Sequence, residues 1–161
     1  MRLDASRTLG AGSYEIRLFK PGFDALGIVV DFVTRTPPFA HFHAGALVDA
    51  LKFQIVHGEH VSAFRGETLV GYFGWLPITR VVGEAWLVGA AELTAVESAR
   101  ADAVALTVVR VADPASLPSL VRAMRKRGPG KFVYFRRDYA GGPRAHRRGR
   151  FELTDPSATG T

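Results

Sequence analysis

Val61-Ser62-Ala63-Phe64-Arg65-Gly66-Glu67-Thr68-Leu69-Val70-Gly71-Tyr72-Phe73-Gly74-Trp75-Leu76-Pro77-Ile78 is the stretch that decides the fold. β-Branched and aromatic residues flank a turn at Arg65-Gly66-Glu67, and Pro77 ends the second run, which predicts a hairpin of residues 61–64 with 68–78. Beyond it, Trp86, Leu87, Ala90, Leu93, Ala95 and Val96 recur at helical spacing over 84–98, and residues 103–111 form an apolar strand. Asp113-Pro114 opens a helix that buries Leu117, Leu120, Val121 and Met124 and runs to Arg127, where Gly128-Pro129-Gly130 stops it. A strand over 131–137 follows, and Gly141-Gly142-Pro143 and a basic run lead to Phe151.

Before the hairpin, Leu47, Val48, Leu51 and Ile55 mark a helix over 44–56 with Gly58 as its stop. Thr36-Pro37-Pro38 breaks the chain upstream. Residues 14–19 alternate, and 26–33 are short and β-branched, so both predict strands after a loose start from Met1 to Gly12. The order is strand, strand, helix, hairpin, helix, strand, helix, strand. With 161 residues and 47% hydrophobic content, this predicts one α/β (α+β) domain over 1–153 and a disordered polar tail over 154–161.

Charge is distributed unevenly. Residues 122–150 hold eleven Lys or Arg against Asp138, and the remainder holds ten basic and fourteen acidic residues, so +10 sits beside −4. Such a field raises encounter rates with an anionic partner. The chain has no Cys, which excludes disulfides, zinc-thiolate sites and thiol nucleophiles. No run approaches the roughly 18 apolar residues of a transmembrane segment, and Met1 to Gly12 lacks the pattern of a secretion signal, so a cytoplasmic protein is expected.

Four stretches carry a resemblance. Phe64 to Trp75 is similar to a hairpin whose second strand reads PVAY-x-SW, with Val70, Tyr72 and Trp75 matching and Gly74 in place of Ser. Ala101-Asp102 before an apolar strand is similar to GD-x-x-W. Leu120-Val121-Arg122-Ala123-Met124-Arg125-Lys126-Arg127 is similar to an L-x-x-x-(M/L)-R-x-x helix, and Phe132 to Asp138 with His146 to Phe151 to an FRAIR strand and a G-x-V-x-x-F end. Together, in this order, they resemble the RTX toxin-activating lysine acyltransferases, the haemolysin-activating family, within the N-acetyltransferase-like (GNAT-like) fold: a mixed, mostly antiparallel sheet with flanking helices.

That resemblance implies transfer of a fatty acyl group from acyl carrier protein to a lysine or other amine of a protein or peptide. It places the catalytic His after Pro37-Pro38, nearest His41, with His43 in reserve. A base is needed because the ordinary lysine ammonium has a pKa of about 10, and His is suited to that work near neutral pH. The family's supporting Asp falls on Val108 or Val109, neither acidic. A non-catalytic binding module of the same fold is therefore the alternative.

No bound cofactor or metal is expected. Arg127-Gly128-Pro129-Gly130-Lys131 is similar to a coenzyme A pyrophosphate loop but follows its helix, and residues 110–114 before that helix contain no Gly. That disfavours coenzyme A and suits the donor that the resemblance implies, acyl-acyl carrier protein, as co-substrate. Arg122, Arg125, Lys126, Arg127, Arg136 and Arg137 are its expected contacts, since carrier proteins are acidic. Phe132, Tyr134, Phe135 and Tyr139 interleave with Arg136 and Arg137, which keeps nucleic acid as the lesser alternative, and a homodimer stays open. His57-Gly58-Glu59-His60 reads as a solvated loop, and His146 as part of the basic run.

Overall fold

The computed structural model describes residues 13–128, 130–137 and 147–154. In chain order it contains β1 (Glu15–Arg17), α1 (Phe23–Thr34), α2 (Ala44–His57), β2 (His60–Arg65), β3 (Thr68–Ile78), α3 (Arg80–Leu87), β4 (Ala103–Val111), α4 (Leu117–Arg127), β5 (Phe132–Arg137) and β6 (Arg147–Glu152). Single 3₁₀ turns cover Phe39–His41, Ser98–Arg100 and Pro114–Ser116. The six strands stand in one sheet in sequence order. All pairings are antiparallel except β4 with β5, which the α4 crossover makes parallel. The expected mixed, mostly antiparallel sheet with flanking helices is what forms.

The hairpin of β2 and β3 pairs Val61 with Phe73 and Ser62 with Tyr72. Gly66, at φ +58°, opens its two-residue turn, a conformation that suits glycine. Along β3 the side chains alternate. Tyr72 joins Leu47, Leu51 and Val108 in a cluster under α1 and α2, whereas Phe73 and Trp75 join Leu120 and Met124 of α4 on the opposite face. A third cluster places Ile78, Ala105 and Tyr134 beneath Val82 and Trp86 of α3. Thus α1, α2 and α3 cover one face of the sheet, and α4 covers the other.

Two segments differ from the sequence-based expectation. Residues 26–33 belong to α1 rather than a strand: Ala25, Val29 and Val33, spaced by four, are all buried against the sheet. Burial of each such Val, about 1.5–3 kcal/mol, overrides the local β preference. The helix expected over 84–98 is α3, which starts earlier, where Thr79 accepts from the Val82 N–H. It ends at Leu87, and Gly89 follows at φ +76° with its N–H on Trp86 O. Residues 88–97 are a loop, held by the Val96 N–H on Pro77 O.

The strand expected over 14–19 shrinks to β1, and the basic run contributes β6, which pairs with β5. Met1 to Gly12, Pro129, residues 138–146 and the tail from 155 lie outside the described residues. Among the described residues no helix is long and apolar enough to cross a membrane.

Candidate functional site

The most irregular point of the sheet is Thr107. Gly74 of β3 pairs with Val108 and Trp75 with Leu106, so Thr107 is an extra residue, a bulge in β4. At the same place β4 and β5 part, since their register runs from Ala103↔Phe132 to Leu106↔Phe135 and ends there. A strand edge opens beside the bulge, which is where a ligand can approach backbone groups.

Polar side chains brace this point from α2. Gln54, fully buried, donates from Nε2 to Thr107 Oγ1 (2.8 Å) and accepts from the Tyr72 hydroxyl (3.1 Å). Thr107 in turn donates to Gly74 O (3.4 Å). Behind them His60 is also fully buried, and its Nε2 accepts the Phe19 N–H (2.9 Å). Its proton therefore sits on Nδ1, which donates to Gln54 O (3.0 Å). His60 is thus a core residue rather than part of a solvated loop: alternation puts it opposite Val61, and that face is buried too, against Phe19 and Tyr72. Burial lowers its pKa, and burial raises that of Tyr72. The network orients the bulge, and both ring nitrogens of His60 are already engaged, by Phe19 and Gln54. Val108 packs under α1 and α2 and Val109 against the α4 cluster, so neither family position supplies an acid.

His41 and His43 lie at the other end of α2. The 3₁₀ turn is anchored by buried Phe39, while His41 closes it and His43 precedes the first turn of α2. Both are exposed. Their backbones are bonded, His41 N–H to Pro38 O and Leu47 N–H to His43 O, and neither ring has a hydrogen-bond or ion-pair partner among the described residues. From Ala44 to Gln54 the helix rises about 15 Å, which separates the histidines from the bulge along the helix axis. No group of three metal-ligating side chains occurs among the described residues.

The 3₁₀ turn that leads into α4 begins at an acid, while α4 itself follows Ser116 without a side-chain cap. Asp113 caps the 3₁₀ turn by accepting the Ala115 N–H (3.1 Å), accepts the Tyr14 hydroxyl (2.6 Å) and pairs with Arg65. The Tyr14 hydrogen bond leads in holding its carboxyl below the usual range. A carboxylate in that position repels a pyrophosphate. Asp102, from the Ala101-Asp102 pair, accepts the Arg80 N–H (2.8 Å) at the start of α3.

The basic stretch divides into two surfaces. Arg122, Lys126 and Arg127 of α4 line a groove of about 420 Å³ with Arg17, over a floor that includes Ile16, Leu18 and Ala123 of β1 and α4 and their neighbours. Arg125 is exposed outside it. Arg122, Arg125 and Lys126 have no hydrogen bond or ion pair with any described residue, and Arg127 donates to Gly58 O (2.5 Å). Arg136 lies instead beside Trp86 and the loop after α3, and Arg137 stands opposite Arg147 in the register of β5 with β6. On β6, Arg148 donates to Leu87 O (3.0 Å) and Arg150 pairs with Glu84. Arg148 and Arg150 of β6 therefore attach that hairpin to α3, which the linear charge count did not reveal.

No protein-family model matches the chain, and no curated protein matches it in sequence. Among solved structures it is similar to the loading GNATL domain of CurA from Lyngbya majuscula, at 14% identity over 81% of this chain and 71% of that one, with a TM-score of 0.51. It is also similar to the GphF GNAT-like decarboxylase in complex with isobutyryl-CoA (20% identity, 78% and 67% covered, TM-score 0.49) and to the PaiA N-acetyltransferase from Thermoplasma acidophilum in complex with coenzyme A (14%, 80% and 82%, 0.42). The fold is GNAT-like.

Proposed function

We propose that this chain is an acyltransferase that takes a fatty acyl group from acyl carrier protein and passes it to a lysine or other amine of a protein or peptide, as toxin-activating acyltransferases do. The observation that carries the proposal is the asymmetry of α4. The 3₁₀ turn that leads into α4, near where a nucleotide pyrophosphate would be cradled, is capped by Asp113, while later turns of α4 present Arg122 and Lys126, which pair with no described residue, beside a groove. A thioester delivered by an acidic protein suits that arrangement better than coenzyme A.

In this scheme the thioester enters where β4 and β5 part. The acceptor amine must lose a proton before its nitrogen attacks the thioester carbonyl; the resemblance assigns that proton to His41 or His43, and the roughly 15 Å of α2 between them and the bulge puts direct transfer out of reach without movement of the start of α2. The C–N bond forms and the C–S bond breaks; the first proton of the ammonium stays on the base, and the second leaves the new amide nitrogen for the departing carrier thiolate. The bulge held by Gln54 positions the open edge of β4 against the thioester. Because no carboxylate contacts either histidine ring among the described residues, the histidine acts alone, without a partner to fix its tautomer.

The absence of an acid at Val108 and Val109 favours a second reading, a carrier-binding module without catalysis. One experiment separates the two: incubation with acyl-acyl carrier protein or acyl-coenzyme A and lysine-containing acceptor peptides, followed by intact-mass analysis. Acylated peptide from the carrier-bound donor, and much less from coenzyme A, is expected. Carrier binding without any acyl transfer establishes the second reading, and efficient use of acyl-coenzyme A overturns the choice of donor.

A further inference from the structure

A cavity of about 290 Å³ lies on the α4 face, where the last turn of α4 meets the starts of β2 and β5, and of its lining only Arg127 enters the carrier-docking groove. Its inner wall includes Trp75 and Met124, both buried. At its rim stand Glu59, Ser98, Arg127 and Lys131. Glu59 is already engaged, one oxygen accepting the Trp75 indole N–H and the other the Ser98 hydroxyl. The two cations are not. Arg127 meets only the carbonyl of Gly58 (2.5 Å), Lys131 only that of Ser98 (3.4 Å), and neither has a carboxylate partner among the described residues. His57, the remaining titratable group at the rim, packs its ring on Phe53 at 4.4 Å between centroids.

An apolar wall beneath a rim of two cations and one carboxylate, a net positive charge with no ion pair among the described residues, is suited to a molecule with an anionic head and an apolar body. A dry cavity of about 150 Å³ holds benzene, so this space admits roughly ten heavy atoms. We propose that the cavity binds a short-chain organic carboxylate, its head between Arg127 and Lys131 and its chain against Trp75 and Met124. The carboxylate accepts charge-assisted hydrogen bonds that the backbone carbonyls leave open on both cations. The cavity shares Arg127 with the groove proposed for carrier docking, so Lys131→Gln, which lies outside that groove, is the variant that tests this inference by itself.

The test uses the full chain and hexanoate as probe, with hexanol and hexylamine as controls. Binding is followed by calorimetry and by Trp75 fluorescence in a Trp86→Phe background. Hexanoate is expected to bind and alter the Trp75 signal, with hexanol weaker by about tenfold or more, the effect of one charge-assisted hydrogen bond. Arg127→Gln and Lys131→Gln should each weaken hexanoate and leave hexanol unchanged. No hexanoate binding, equal affinity for hexanol, or tighter binding of hexylamine overturns the proposal. If either variant fails to fold, the contrast among the three probes in the unmutated chain decides it.

Discussion

Gln54 of α2 reaches into the sheet directly over Gly74 of β3, so closely that a Cβ at position 74 would lie 1.9 Å from Gln54 Oε1. Glycine stands there because a side-chain amide occupies the space where an alanine methyl would be. Gly74→Ala should expel Gln54, leaving the Tyr72 hydroxyl and Thr107 short of a partner, and cost about 1–3 kcal/mol. Urea denaturation checks this, and a Gly74→Ala protein as stable as its parent would show that Gln54 has room to move.

Gly27 offers the opposite case. It is exposed within α1, and a Cβ there meets nothing within 4 Å. Gly27→Ala should therefore stabilise the protein by about 0.5–1 kcal/mol through helix propensity and lost unfolded-state entropy. Thermal melting of the variant measures the gain.

The buried His60 makes stability depend on pH. Burial leads in depressing its folded pKa, against an ordinary value of about 6.5 when unfolded. Below that value the unfolded chain binds a proton that the folded chain refuses, so stability is full above about pH 6.5 and declines as pH falls from there toward the folded pKa. NMR titration should place His60 below 6.5, and a His60 that titrates at the ordinary value would contradict the tautomer assigned from Phe19 and Gln54.

His41 and His43 are exposed, so replacing them should not disturb folding. His41→Ala is expected to slow acyl transfer by about 10²–10⁴, and His43→Ala by less. Undiminished rates in both single variants and in the double variant would remove this pair from the mechanism.

For carrier docking, Arg122→Glu and Lys126→Glu should weaken association more at low than at high salt, because both cations line the groove and pair with no described residue. Arg150→Glu should instead loosen β6, since Arg150 is engaged with Glu84. Surface plasmon resonance at two ionic strengths distinguishes them. Equal loss of carrier binding from all three substitutions would argue against a groove at α4.

The hairpin, β4 and α2 were legible because their signals are local: β-branched and aromatic runs, a Gly at the turn, Gly58 after the last helical residue. Segment α1 was not, because Ile28, Val29 and Val30 prefer strands by themselves and only packing beneath α2 makes them helical. At β6 the density of Arg concealed a strand whose pairing is set by β5. The expected histidines were readable as residue types, but their distance from Thr107 was not, since it follows from which end of α2 faces the bulge. Gln54 was missed altogether; a polar residue among Leu47, Leu51 and Ile55 on the buried face was the available signal.

Spatial order equal to chain order has a consequence for synthesis. Once α2 is out, β2 and β3 can close within a few residues of each other, and β4 then meets an edge that already exists. Only β5 must wait for a helix to cross over, and β6 waits for β5. A chain leaving the ribosome can therefore build most of its sheet in the order in which it is made, with the parallel seam at β4 as the late, slow closure.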